Sequence, residues 1–147
     1  MNPYKSLAKT VIIHFFIMYV LTYAAVSSLA DISLLSIRSL YMTMIMVAPM
    51  VILMLLFMPQ MYTNKTLNVK LYLGSVLLFF MSFVFIQKQV FVDNTQFLKS
   101  MIPHHSSAIT MCNEASLTNQ EIIKLCKQIV SAQKEEITQM KEILSNE

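Results

Sequence analysis

Residues 40–64, LYMTMIMVAPMVILMLLFMPQMYTN, contain no charged side chain. A bilayer core takes about 20 apolar helical residues to cross. A chain in lipid must also satisfy its own backbone polar groups, which a helix does. This stretch is therefore predicted to span a membrane. Two more uncharged runs flank it, Thr10 to Ala30 and Leu71 to Gln87. The last is short and borrows from its neighbours, which places the spans at about 10–30, 40–60 and 69–88.

The composition of the 147 residues agrees: 56% hydrophobic, 13% charged and one glycine exclude an ordinary soluble domain. No basic cluster with interleaved aromatics points to nucleic acid. Lys5 and Lys9 precede the first span, Arg38 alone follows it, and Lys65 and Lys70 separate the second from the third. Short loops rich in lysine and arginine stay inside. The amino terminus is thus expected in the cytoplasm, with the carboxy-terminal segment outside the inner membrane after three crossings. Ser28-Leu29-Ala30 before Asp31 has the form of a signal-peptidase site. The apolar run ahead of it exceeds the usual signal core of about 7–15 residues, so an uncleaved anchor is expected.

The predicted fold class is an all-α membrane protein: a three-span transmembrane domain over residues 1–88, then an extracytoplasmic antiparallel helical hairpin over residues 89–147. The hairpin helices are expected at about 94–115 and 119–145. The third span has few breakers before Asp93-Asn94, which offers a cap. Thr118 and Glu121 have capping-box spacing, and Ser116-Leu117 leaves room only for a tight turn. Pro103 should kink or restart the first hairpin helix, because it lacks an amide proton and crowds the Lys99 carbonyl. On the second helix Ile122, Cys126, Ile129, Gln133, Ile137, Met140 and Leu144 form one stripe. Two helices cannot cover both of their apolar stripes. A homodimer closing a four-helix bundle is the simplest remedy.

Chemistry concentrates in the hairpin. Residues 101–111, MIPHHSSAITM, hold two of the three histidines between two methionines. At about 100° per residue, Met101, His104, His105, Met111 and Cys112 share an arc of roughly 120°. Thioether and imidazole suit Cu(I), whereas zinc or iron would want more carboxylate or thiolate; Glu136 keeps those metals open. Gln133 and Glu136 read as ligands or as groups that orient an imidazole. The plainer alternatives are a polar histidine pair beside a kink and a solvated Glu136. Cys112 and Cys126 face inward on adjacent helices, where a disulfide, thiolate ligation and simple packing are all open. Met42, Met46, Met50, Met54 and Met58 recur every four residues in the second span, as a soft-cation ladder or as flexible packing filler. His14 is a lone histidine near the inner end of the first span.

Met101-Ile102-Pro103-His104-His105, then Ala108-Ile109-Thr110-Met111, then Ala132-Gln133-Lys134-Glu135-Glu136-Ile137-Thr138-Gln139-Met140 together resemble the family known as domain of unknown function 305. Some of its members are exported copper-binding proteins linked to copper tolerance. The resemblance implies Met101, His104, His105, Met111 and Met140 as ligands, with Gln133 and Glu136 close by. Cys112 and Cys126 stand where small residues would be more usual. The functional expectation is a non-enzymatic protein that binds Cu(I) outside the cytoplasm for sequestration, sensing or hand-off. The alternative is a structural or regulatory membrane subunit whose exported helices bind a protein partner.

Overall fold

A computed structural model of the chain describes residues 2–146 and contains five α-helices, with no strand among the described residues. In order they are α1 (Pro3–Leu21), α2 (Ile37–Phe57), α3 (Lys65–Lys88), α4 (Asn94–Glu114) and α5 (Gln120–Asn146), with a short 3-10 turn at Leu29–Asp31. The first three are each long and apolar enough to cross a membrane. Contacts divide the chain into two compact units, one from the amino terminus to Thr22 with Arg38–Val90, the other Tyr23–Ile37 with Phe91 onward.

In the first unit, α1 starts earlier than its uncharged run because Asn2 and Pro3 make a better start than Thr10. The Asn2 side chain accepts from the Tyr4 amide, and proline occupies the first turn, where no amide proton is needed. The same logic moves the start of α3 back to Lys65: the Asn64 carboxamide caps the Leu67 amide at 3.0 Å. Leu7, Val51, Leu55 and Tyr62 are buried together, with Tyr4, Val11, Met54, Leu71 and Tyr72 packed around them. The Tyr4 hydroxyl donates to Asn68 Oδ1 at 2.8 Å and accepts from the Asn64 amide at 2.9 Å. Elsewhere the surface is apolar, with Phe16, Val20, Leu77 and Phe80 exposed, as lipid-facing positions would be. Helix α2 runs through Pro49 as one element. The third span does not continue into α4. Gln89 adopts a left-handed conformation with φ 50° and ends α3, and Asp93 caps α4 by accepting from the Gln96 amide at 2.7 Å.

In the second unit α4 and α5 form the expected antiparallel hairpin around Ile102, Ile109 and Ile137, flanked by Val130, Met140 and Leu144. Helix α4 continues through Pro103 without a restart. The expected capping box at Thr118 is replaced by Asn119, whose side-chain oxygen accepts from the Glu121 and Ile122 amides. Asparagine outranks threonine as a cap, and its choice sets the start of the helix one residue later.

Segment 23–37 is the unforeseen part of this unit. It is anchored by the Asp31 carboxylate, 6% exposed, which accepts from Ser106 Oγ at 2.6 Å and from Lys141 Nζ at 2.5 Å. The Ser27 amide donates to Ser106 Oγ at 2.8 Å, and the Ile37 amide to Gln96 Oε1 at 2.9 Å. Buried charge is costly unless paired and hydrogen-bonded, and here it is both. Part of the hairpin surface is therefore covered from within the same chain. Leu35 and Phe91 hold left-handed backbones, φ 66° and 59°, at about 1–2 kcal/mol each for a residue with a side chain.

Candidate metal site

Helix geometry decides which of the expected ligands meet. On α4, Met101, His105 and Cys112 lie to one side of the buried Ile102–Ile109 line, and Ser106 to the other. On α5, Gln133, Glu136 and Met140 lie to one side of Ile137, and Lys141 to the other. Because His105 contacts Glu136, the first set from each helix forms one flank. The opposite flank is the one that holds Asp31.

His105 is the hub of its flank. Its Nδ1 stands 3.0 Å from the Met101 carbonyl oxygen, and its Nε2 stands 2.8 Å from Glu136 Oε2. Both neighbours are acceptors, which holds the ring between the α4 backbone and α5. Gln133 Nε2 donates to the same Glu136 oxygen at 3.3 Å. His105 is largely enclosed, with 12% of its side chain exposed against 51% for Glu136. An ion taken up at Nε2 would take the place of the Glu136 contact.

Two methionines lie on this flank, one on each helix. Met101 lies one turn before His105 and is half-buried. Met140 is half-buried against Ile102, Ile109 and Ile137. The antiparallel register, fixed by His105 with Glu136 and by Cys112 with Cys126, brings Met101 level with Met140. His104 and Met111 occupy the far side of the arc. His104 is exposed, with its ring edge-on to His105 at 6.1 Å between centroids, and Met111 is 69% exposed. The proline-freed Lys99 carbonyl is not the one His105 takes; that is Met101, one helical turn before the ring.

Cys112 and Cys126 form a disulfide, with α-carbons 5.3 Å apart. That settles the three-way alternative for these positions, since a disulfide leaves no thiolate to ligate. No group of three or more His, Cys, Asp or Glu side chains placed to hold an ion occurs among the described residues. The sequence reading missed Asp31, Ser106 and Lys141. One signal was present: Asp31 is the only acidic residue before Asp93. A lone carboxylate in so apolar a region needs a partner.

Residues 88–144 match the family model described as domain of unknown function (DUF305). Acanthamoeba polyphaga mimivirus has a similar protein, uncharacterized protein L153, 34% identical over 121 residues, covering 80% of this chain and 76% of the viral one. A match of that length is longer than everything from Lys88 onward and so includes much of the α1–α3 region. No solved structure matches.

Proposed function

We propose, from the donor set of its hairpin, that this chain, which belongs to one family with the mimivirus protein and carries a DUF305 domain, is a membrane-anchored metal-binding protein whose cargo is Cu(I). The flank of Met101, His105 and Met140 receives the ion outside the cytoplasm, for sequestration, sensing or hand-off. One juxtaposition supports this reading: the antiparallel register puts Met101 of α4 level with Met140 of α5, one helical turn from a largely enclosed His105. Soft sulfur with one imidazole favours Cu(I). Zinc and iron fit less well, because the disulfide removes both thiolates and Glu136 is the lone carboxylate of the flank.

Glu136 and Gln133 hold the imidazole in one orientation until the ion arrives. His104 and Met111, facing solvent, serve as capture ligands or meet a second hairpin. Ile122, Leu125 and Ile143 are exposed on α5 and give a homodimer something to bury. Lys5 and Lys9 keep the amino terminus inside, so the three spans deliver the hairpin to the extracytoplasmic side. The work is ligand exchange, with no covalent step.

The test is competition for Cu(I) between the full-length protein in detergent and a chromophoric chelator, without oxygen and with a reductant too mild to open the disulfide. Stoichiometric uptake is expected. His105→Ala, and Met101→Leu combined with Met140→Leu, should abolish it, while Met111→Leu should leave it intact. No uptake by the unaltered protein would sink the proposal in favour of a structural or regulatory membrane subunit.

A further inference from the structure

Four large apolar side chains of the second unit face outward: Leu29 at 84% exposure, Leu35 at 79%, Phe91 at 74% and Leu34 at 70%. Their places in the chain are not random. Leu29, Leu34 and Leu35 lie between the end of α1 and the start of α2, and Phe91 lies three residues past the end of α3. Three consecutive crossings bring those helix ends to the same side of a bilayer. A chain reaches at most about 3.6 Å per residue. Leu35 therefore stays within about 7 Å of Ile37, and Phe91 within about 11 Å of Lys88. The headgroup zone is itself about 5–8 Å deep on each side. Leu34, Leu35 and Phe91 are thus tethered at or near that zone, while Leu29, eight residues from both Leu21 and Ile37, joins them by its exposure.

Backbone conformation gives a second, independent indication. Of the three non-glycine residues with positive φ among the described residues, two are Leu35 and Phe91. Bulky residues are the poorest choice for left-handed positions, and in water the exposed side chains would add a second cost. An apolar phase against those side chains reverses the second cost. Charge complements the arrangement, because Arg38 stands at the start of α2 and Lys88 at the end of α3, where their stems can lie along lipid while their heads meet phosphate.

We propose that Leu29, Leu34, Leu35 and Phe91 form an interfacial anchor that enters the boundary between headgroups and acyl chains of the adjoining leaflet. The occupant of this surface is phospholipid. The proposal rests on reading α1–α3 as membrane spans. It also gives segment 23–37 two engagements: Asp31 grips Ser106 and Lys141 while the leucines around it grip lipid.

The chain has no tryptophan, so single substitutions report without background. Leu35→Trp, Phe91→Trp and Leu34→Trp would be reconstituted in vesicles of phosphatidylcholine and phosphatidylglycerol. Bromine would be carried either near the headgroup or at mid-chain, with aqueous iodide as the opposing quencher. Leu34→Trp guards against loss of fold, because its backbone is not left-handed. Met111→Trp on the exposed side of α4 and Leu77→Trp on the exposed side of α3 are the references. The anchor predicts blue-shifted emission from all three interfacial probes, lost mainly to headgroup-level bromine and resistant to iodide. Met111→Trp should respond only to iodide, and Leu77→Trp to mid-chain bromine. Interfacial probes that behave like Met111→Trp would overturn the proposal. So would probes shielded from both quenchers, the signature of a second copy or another protein on this surface. If Leu77→Trp escapes bromine as well, the span reading itself has failed, and the anchor with it.

Discussion

Replacing Lys141 with methionine tests whether segment 23–37 is held to the hairpin by charge. The substitution keeps the length of the side chain and removes its ammonium. Asp31, 7% exposed at its side chain, would then keep Ser106 Oγ but lose its counter-ion. Stripping one partner from a fully buried pair costs about 3–5 kcal/mol. Lys141 is 39% exposed, so solvent screens part of the attraction, and about 2 kcal/mol is the reasonable expectation. At 1.4 kcal/mol per factor of ten, that is roughly a thirty-fold gain in local opening. Amide hydrogen exchange in the full-length protein reads it directly, because the Ser27 and Ile37 amides donate to Ser106 and Gln96 across the contact. Peptides covering residues 23–37 should exchange about thirty-fold faster, with those covering α1 unchanged. In an Asp31→Asn background the same lysine replacement should cost under about 0.5 kcal/mol, since the buried charge is already gone. Unchanged exchange in the single variant, or an equal effect in both backgrounds, would refute the reasoning.

Other consequences are as accessible. Closing a loop with a sequence separation of 14, the Cys112–Cys126 bond should contribute about 3 kcal/mol by chain entropy; urea unfolding of the hairpin helices in a Cys112→Ser, Cys126→Ser variant checks it, and an unchanged midpoint would count against the bridge. Asn119→Ala should cost about 1 kcal/mol of helix stability, while Thr118→Ala should cost almost nothing; the reverse ranking would restore the capping box.

Much of the fold was legible because it rests on coarse patterning. Three uncharged runs specify three apolar helices, and a 3.6-residue stripe on each remaining segment specifies a hairpin. Boundaries were less legible. Asn2, Asn64 and Asn119 each moved a helix start by side-chain capping, an effect local to one or two hydrogen bonds and invisible to hydropathy. At the candidate site, the pairing of His105 with Glu136 followed from antiparallel register, and both residues were already named. What spacing could not give was the split of the methionine and histidine arc. His105 reaches α5 through Glu136 and Met101 is half-buried, while His104 and Met111 are exposed, because only the Ile102–Ile109 line fixes the rotation of α4. The Asp31 contact joins residues far apart in the chain, for which no periodic signal exists.

That contact bears on how the protein can be dissected. A fragment cut where the family match begins, at Lys88, would keep both hairpin helices and the disulfide yet lose the wall that Ser27, Asp31 and Ile37 provide. Ser106, fully buried in the intact chain, would be opened to water, and the Lys141 ammonium would stand without its counter-charge. The portable cassette suggested by sequence similarity and the unit that folds are different objects. Metal affinities or oligomeric states measured on the excised piece would describe a hairpin with one side laid bare.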